Sequence, residues 1–213
     1  MKVQIWSDIA CPFCYIGKQH LELAAKQTNT PLEIEWMSFQ LDPNAPEKTD
    51  QSIYELLAEK YGKDVDWAKQ MNANMIEMGE KAGLTFNVDI QKPTNTFKAH
   101  LLLHQAKKEG LQTKLKEALF EAYFVNGENI SDTQTLLKIA DKVGMDAEKA
   151  KEVLSKQEHA SEVKDDISLA QRYGIQGVPF FILNNKYALS GAQPVEAFVQ
   201  AFDKIAEELE TSS

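Results

Sequence analysis

The feature that most constrains the fold of this chain is the segment Cys11-Pro12-Phe13-Cys14, which contains both of its cysteines. Residues 2–6 alternate polar and apolar side chains, which predicts a strand, and residues 15–26 carry apolar side chains at helical intervals. Cys11 therefore lies where a strand gives way to a helix. The first N–H groups of a helix have no internal partner and carry the positive end of its dipole, so they favour a thiolate.

The residues between the cysteines fit that interpretation. Proline suits the first helical turn, where its missing N–H would be unpaired in any case. The two-residue spacer places Cys14 about one helical turn behind Cys11, a separation that can close into a disulfide and reopen by thiolate exchange. We therefore predict a redox pair.

Two other interpretations of the cysteines stay open at this point. A structural zinc site would need two further ligands, which only histidines could supply together with the pair. The histidines of the chain are His20, His100, His104 and His159. The second alternative is a pair of inert buried cysteines, although packing alone poorly explains this spacing at a strand-to-helix junction.

The charge of the chain limits its partners. Its 213 residues include 32 acidic and 23 basic side chains, with Arg172 the single arginine, and the formal net charge is −9. Binding to nucleic acid or to an anionic membrane depends on clustered positive charge, so we expect neither partner. Met1-Lys2 leads directly into the first strand, without an apolar leader. We expect a cytoplasmic protein, in which two cysteines are more often catalytic or metal-binding than structural.

The pattern along the chain divides it into outer α/β parts and a helical middle. Residues 1–40 predict a β-α-β unit, with its second strand over residues 32–39. Helical signals then dominate from about residue 50 to residue 158, with polar caps at the starts and glycines at the ends. The predicted helix ends are Gly62, Gly83, Gly110, Gly127 and Gly144. The predicted caps are Ser52, Asp64, Asn95 or Thr96, Thr113, Asp132 and Asp146.

The last third of the chain predicts a helix, a hairpin and a second helix. The first helix covers residues 160–173, and the strands 177–183 and 187–190 flank a turn at residues 184–186. The final helix spans residues 194–209. Its predicted buried side consists of Val195, Phe198, Phe202, Ile205 and Leu209.

This order of elements resembles a thioredoxin fold with a helical insertion, as in the DsbA family. Shorter matches are similar to the FrnE-like branch of that family, and they occur in the expected order along nearly the whole chain. They are Ser7-Asp8, Cys11-Pro12-Phe13-Cys14-Tyr15-Ile16-Gly17, Asn95-Thr96, Ala99-His100, Gly177-Val178-Pro179-Phe180-Phe181 and Ser190-Gly191-Ala192-Gln193. The resemblance implies an α/β, DsbA-like fold in which residues 1–40 and 160–213 form the thioredoxin-like domain. Residues 41–159 would be the inserted helical subdomain.

The resemblance also implies roles for particular residues. Cys11 would attack disulfides, Cys14 would resolve the mixed disulfide, and Pro179 would be a cis-proline facing the pair. The candidate substrate-binding residues are Pro12, Phe13, Val178, Asn95 and His100. An extended substrate segment could pair with the backbone at Val178 by strand addition.

Two positions depart from the family pattern. Phe13 stands where strongly oxidising DsbA proteins have a histidine that helps to stabilise the thiolate. Leu101 stands where many FrnE-like sequences have an arginine after Ala-His. The sequence therefore leaves the direction of the reaction open.

We accordingly expect a thiol-disulfide oxidoreductase whose substrates are protein or small-molecule thiols and disulfides. No cofactor or metal is expected beyond the redox-active cysteine pair, and glutathione is a candidate co-substrate. One alternative is a glutathione-dependent isomerase or transferase, similar to 2-hydroxychromene-2-carboxylate isomerase or kappa-class glutathione transferase. Those relatives use a serine near the position of Cys11. The second alternative is a non-enzymatic binding module, in which the pair would never titrate as a redox couple.

Overall fold

The outer parts of the chain form one small sheet with helices on both faces. A computed structural model describes residues 1–211. The first unit consists of β1 (Lys2–Ser7), α1 (Pro12–Thr28) and β2 (Glu33–Ser38). The last consists of α8 (Ala160–Arg172), β3 (Phe180–Leu183), β4 (Tyr187–Ser190) and α9 (Val195–Thr211).

The middle of the chain is helical. Its helices are α2 (Ile53–Tyr61), α3 (Val65–Lys81), α4 (Phe97–Lys108), α5 (Gln112–Phe120), α6 (Thr133–Val143) and α7 (Ala147–Lys156). A 3-10 turn at Val88–Ile90 precedes α4, and a π-type stretch at Glu121–Val125 continues α5.

The strand order in the sheet is β2-β1-β3-β4. Strands β1 and β2 are parallel, whereas β1 with β3 and β3 with β4 are antiparallel. Ile5 in the central strand lies opposite Trp36 on one side and Phe181 on the other. This is the βαβ and αββα arrangement predicted from the sequence.

The two faces of the sheet bury different side chains, as the alternation of a strand requires. On one face Ile5 and Phe181 are fully buried, and the ring of Phe181 meets that of Phe198 of α9 edge to face at 5.0 Å. On the other face Trp6 packs in a separate cluster with Ala170 of α8 and with Ile175. The sheet is therefore packed on both of its faces.

The helical middle shares the main hydrophobic core with α1. Tyr15 of α1 stacks on Phe120 at 4.8 Å and on Phe124 at 6.1 Å. The buried side chains of both parts belong to one continuous cluster. The division into two domains stays a prediction, and the packing between them brings α5 beneath the start of α1.

Most of the predicted helix boundaries are confirmed. All five glycines predicted to end helices have a positive φ, between 61° and 89°. The side chains of Ser52, Asp64, Asp132 and Asp146 each accept a hydrogen bond from the backbone N–H three residues later, as an N-terminal cap does.

Two local predictions are wrong. The helix predicted to begin after Thr113 begins at Gln112, because Leu111 N–H closes the end of α4 on Ala106 O at 2.8 Å and α5 follows directly. The Thr113 hydroxyl instead accepts a hydrogen bond from Trp36 Nε1 at 3.1 Å. Leu209, predicted on the buried side of α9, is 60% exposed, since burial along that stripe ends at Ile205.

The helical middle also protects the edge of the sheet. Strand β2 is an edge strand, so its outward N–H and C=O groups need partners from outside the sheet. Gln112 of α5 supplies both: its Oε1 accepts from Trp36 N at 3.0 Å, and its Nε2 donates to Trp36 O at 2.9 Å. One buried amide side chain thus takes the place of a neighbouring strand.

We expect Gln112→Ala to lower the free energy of unfolding by about 2 to 4 kcal/mol, because two buried backbone groups lose their partners. Urea unfolding followed by circular dichroism measures the change. Gln134→Ala, which removes an exposed glutamine of α6, is the control and should stay close to the unmodified protein. Equal stability of the two variants would contradict this role.

Gly17 allows the loop before β3 to lie directly on α1. A Cβ atom at this position would come within 3.0 Å of Pro179 Cγ and 3.1 Å of Phe181 Cζ. Glycine in a helix interior is ordinarily unfavourable relative to alanine. Here its missing side chain sets the distance between α1 and Pro179.

We expect Gly17→Ala to destabilise the protein by about 1 to 3 kcal/mol, since the added methyl group overpacks the contact with Pro179. The usual effect of this substitution in a helix has the opposite sign, a gain of about 0.5 to 1 kcal/mol. Chemical denaturation distinguishes the two results, and a stabilised variant would show that the contact yields without cost.

Candidate active site

Cys11 occupies the N-cap of α1, and Pro12 is the first residue of the helix. Cys11 has extended backbone angles, φ −95° and ψ 108°, and its carbonyl accepts the first helical hydrogen bond, from Cys14 N at 3.1 Å. The side chain makes no capping hydrogen bond with the helix. Its sulfur therefore lies at the positive end of α1.

The two cysteines differ in accessibility. They are not joined by a disulfide bond in the structure, and each shifts the pKa of the other. Cys11 retains 3% of its surface, whereas Cys14 is completely buried. Both thiols are thus buried, and Cys11 is the one that keeps some exposure.

A second segment, distant in the sequence, completes the site. The Val178–Pro179 peptide bond is cis. The Cys11 Sγ donates a hydrogen bond to Val178 O at 3.5 Å, across 167 positions of the sequence. The antiparallel pairing of β1 with β3 makes this approach possible, because it places the C-terminal end of β1 beside the N-terminal end of β3.

The proton of the cysteine pair is shared unequally. The hydrogen bond with Cys14, followed by burial, raises the pKa of Cys11. Burial also raises the pKa of Cys14, but hydrogen bonds from Cys11 and Ser7 and the positive charge of Lys116 outweigh it, so its pKa is lowered. The helix N-terminus favours an anion on Cys11, whereas these contacts favour it on Cys14.

A buried carboxylate and imidazole lie behind the cysteines. The Asp8 Oδ1 is 3.3 Å from His100 Nε2, and its Oδ2 accepts from Leu41 N at 2.8 Å. Burial raises the pKa of Asp8, but His100 and the Leu41 N–H outweigh it and lower that pKa. Burial lowers the pKa of His100. His100 is accordingly a neutral donor from Nε2, which leaves Nδ1 as an acceptor with no partner among the described residues.

The other predicted substrate-binding residues lie in different surroundings. Phe13 is 41% exposed beside the sulfurs, and Pro12 and Val178 are half-buried. Asn95 fastens the loop before α2 to the start of α4: its Nδ2 donates to Pro43 O and to Ala45 O, both at 3.0 Å. A direct contact of Asn95 or of the buried His100 with substrate stays a prediction.

A cavity of about 150 Å³ opens next to the cysteine-bearing loop. Its wall includes Ala10, which precedes Cys11, and Tyr123 from the π-type stretch, and the rest comes from the loop 41–51, from α2 and from residues 93–96. Most of this lining is apolar, and Asp8 also contributes to it. The cavity adjoins Cys11 through Ala10.

The histidines do not complete a metal site with the cysteines. His104 bonds to Ser38 Oγ and lies 3.1 Å from Asp166, while His159 bonds to Glu162. Within residues 1–211, no group of three histidine, cysteine or acidic side chains is placed to hold a metal ion. The zinc interpretation therefore lacks its ligand set in this part of the chain.

Among residues 1–211, none of the helices has the length and apolar character needed to span a membrane.

Two buried residues of the site were missed from the sequence, Lys116 and Asp8. Lys116 lies on α5 at a position flanked by the buried Leu115, Leu119 and Phe120. A lysine within an apolar helical stripe is the signal that could have singled it out. Asp8 was part of a family match, but its burial next to a histidine required the fold.

Comparison with solved structures gives three informative similarities. A probable DsbA oxidoreductase from Streptomyces coelicolor is 35% identical, with a TM-score of 0.91, and the match covers 98% of this chain and 91% of that one. A 2-hydroxychromene-2-carboxylate isomerase is 15% identical with a TM-score of 0.73, and both chains are covered completely. The cytosolic disulfide reductase DsbM from Pseudomonas aeruginosa, also solved with GSH, is 16% identical with a TM-score of 0.65 and coverage of 98% and 100%. The last two share the fold alone.

The sequence itself matches a described domain family over almost its whole length. Residues 2–203 match the DSBA-like thioredoxin domain. The match includes the cysteine pair, the helical middle and the Val178–Pro179 loop, and the fold of the nearest of these structures agrees with it. The chain belongs to the DSBA-like thioredoxin domain family.

Proposed function

We propose that this protein is a thiol-disulfide oxidoreductase in which Cys11 attacks and Cys14 resolves. The observation that carries the proposal is the pair of cysteines at the start of α1, with Cys11 at the N-cap, Cys14 one helical turn further on, and the Cys11 sulfur hydrogen-bonded to the Val178 carbonyl. Disulfide chemistry needs an accessible sulfur that becomes a thiolate and a second sulfur within reach of it. Cys11, which keeps 3% of its surface exposed, is the candidate for the first sulfur, and Cys14 is the candidate for the second.

The reaction follows from this geometry in two exchanges. The Cys11 thiolate attacks one sulfur of a substrate disulfide, the substrate S–S bond breaks, and the released sulfur takes a proton. Cys14, once deprotonated, attacks Cys11 Sγ and displaces the second substrate sulfur. The substrate is reduced and the protein keeps the disulfide, which a thiol such as glutathione can reduce again. The reverse sequence oxidises a dithiol.

The surroundings of Cys11 suit an extended or small substrate. The exposed Phe13 offers an apolar contact, and the cavity beginning at Ala10 can hold a side chain or part of a small thiol. A peptide segment could lie along the backbone at Val178. Protein and small-molecule disulfides are therefore both candidate substrates. A cytoplasmic location and membership of the FrnE-like branch are parts of this proposal, the former supported by the disulfide reductase of the same fold named as cytosolic.

The nucleophile test uses single cysteine variants. We expect Cys11→Ser to reduce disulfide exchange with glutathione disulfide to the uncatalysed background. Cys14→Ser should still attack but should accumulate a mixed disulfide, because the resolving sulfur is absent. Intact-protein mass spectrometry detects the adduct, and only one cysteine remains in each variant, so its site is unambiguous. Full exchange activity of Cys11→Ser would overturn the proposal.

The isomerase alternative is tested on the same variants. The fold of the 2-hydroxychromene-2-carboxylate isomerase is shared, but a glutathione-dependent isomerase needs no second thiol. We expect Cys14→Ala to show no glutathione-dependent conversion of aromatic electrophiles by absorbance assay. Full turnover by that variant would assign the site to the isomerase or transferase class. A cysteine pair that never titrates as a redox couple would instead indicate a binding module.

A further inference from the structure

The most unusual charged residue of the protein is Lys116. It is 1% exposed and is among the largest fully buried side chains of the described residues. Its ammonium group lies 5.2 Å from the ring centre of Trp36 and 4.9 Å from that of Phe120. Lysines are almost never fully buried without a paired charge. Its position therefore calls for an electrostatic reason.

No ordinary ion pair accounts for Lys116. Across residues 1–211, neither the hydrogen bonds of side chains nor the ion pairs include its ammonium group. The contrast is Lys18 of α1, which is also buried and pairs with two carboxylates, Glu22 at 2.8 Å and Glu117. The ring faces of Trp36 and Phe120 attract the cation but do not neutralise it.

Lys116 lies near the start of α1, because the Phe120 ring beside its ammonium group stacks on Tyr15, the residue that follows Cys14, at 4.8 Å. The ionisable groups that act on its charge are those of the active site. Burial lowers the pKa of Lys116 to about 8, and this is opposed by Cys14 first, then by Asp8 and Cys11. His100 of α4 faces it as a neutral imidazole. From β2 and α5, the residues next to the ammonium group are the aromatic rings of Trp36 and Phe120. The Asp8 carboxylate is held by hydrogen bonds from His100 and the Leu41 N–H, and Cys14 raises the pKa of Lys116 more than Asp8 does.

We propose that Lys116 is a positioning residue of the redox site, whose ammonium group is the counter-charge of the thiolate shared by Cys11 and Cys14. This proposal rests on the proposed oxidoreductase function and adds the group that supplies the positive charge. The family histidine between the cysteines is absent here, with Phe13 in its place. The positive charge is supplied instead by Lys116, on α5 of the helical middle.

The role gives Lys116 a defined place in the proton balance. In the oxidised protein the cysteines form a neutral disulfide, and a buried amine without an anionic partner favours its neutral form. Two small-molecule thiols then reduce the disulfide and are joined as their own disulfide. Of their two protons, one goes to Cys11 and the other to Lys116, which leaves a thiolate on Cys14 beside an ammonium group. Re-oxidation releases both protons.

The test compares Lys116→Met with Lys114→Met. Methionine keeps a long unbranched side chain that can pack against the rings, but it removes the charge. Lys114 is an exposed lysine on the same helix and serves as the control. We expect Lys116→Met to require a pH about one unit higher for half-maximal alkylation of reduced Cys11 by iodoacetamide. Lys114→Met should match the unmodified protein.

The equilibrium between the dithiol and disulfide forms should change in Lys116→Met together with the pH profile of alkylation. Without the cation the thiolate form is less stable, so Lys116→Met should be about tenfold easier to oxidise in glutathione buffers. For a two-electron couple this corresponds to a potential about 30 mV more negative. Unchanged alkylation profile and equilibrium in a folded Lys116→Met variant would overturn the proposal.

A second measurement uses the unmodified protein, in case the methionine variant does not fold. The titration of Lys116 is followed by ¹³C NMR at its Cε atom, once in the disulfide form and once in the dithiol form. We expect the higher pKa in the dithiol form, and equal values would refute the coupling. Failure of the unmodified protein to exchange with glutathione disulfide would instead reject the oxidoreductase function. The alkylation profiles would still decide the role of Lys116.

Discussion

The site depends on the pairing of the central strand β1 with both of its neighbours. The start of α1 follows β1, and the Val178–Pro179 loop precedes β3. Because β1 pairs with β3, these two segments lie at the same end of the strands although Cys11 and Val178 are 167 positions apart. The hydrogen bond from Cys11 Sγ to Val178 O closes the arrangement, and Gly17 sets its width by leaving room for Pro179. A shift of one residue in the register of β1 would turn Ile5 and Trp6 to the wrong faces and separate the two halves of the site.

The helical middle of the chain is part of the site rather than a cover over it. Gln112 of helix α5 bonds to the free backbone groups of the edge strand, and Lys116 of the same helix lies beside the Phe120 ring that stacks on Tyr15 of α1. The loop before α2 is fastened by Asn95 and forms the wall of the cavity next to Ala10. Substitutions in this region can therefore alter redox chemistry without touching a cysteine.

The buried site contains a positive charge although the chain as a whole is strongly acidic. The chain as a whole has a net charge of −9, yet its active-site core holds a lysine, a neutral histidine and one carboxylate together with the thiols. Because the interior screens charge weakly, each of these groups changes the ionisation of the others. Asp8 accepts hydrogen bonds from His100 and the Leu41 N–H, and of the site's anionic groups Cys14 raises the pKa of Lys116 most.

The sequence by itself determined the elements whose signals are local. The strand-to-helix junction at Cys11, the glycines that end helices, most of the polar caps and the hairpin after Pro179 all depend on neighbours within a few residues, and the structure has them as predicted. The FrnE-like branch and the roles of single residues stay predictions.

Only the tertiary structure decided which polar residues enter the core. Thr113 bonds to Trp36 instead of capping a helix, Asn95 fastens a loop, and Leu209 remains exposed although it continues an apolar stripe. Lys116 looks like a surface lysine until α5 is packed against α1 and β2. The physical reason is that burial and electrostatic coupling depend on contacts between segments far apart in the chain, which no local pattern contains.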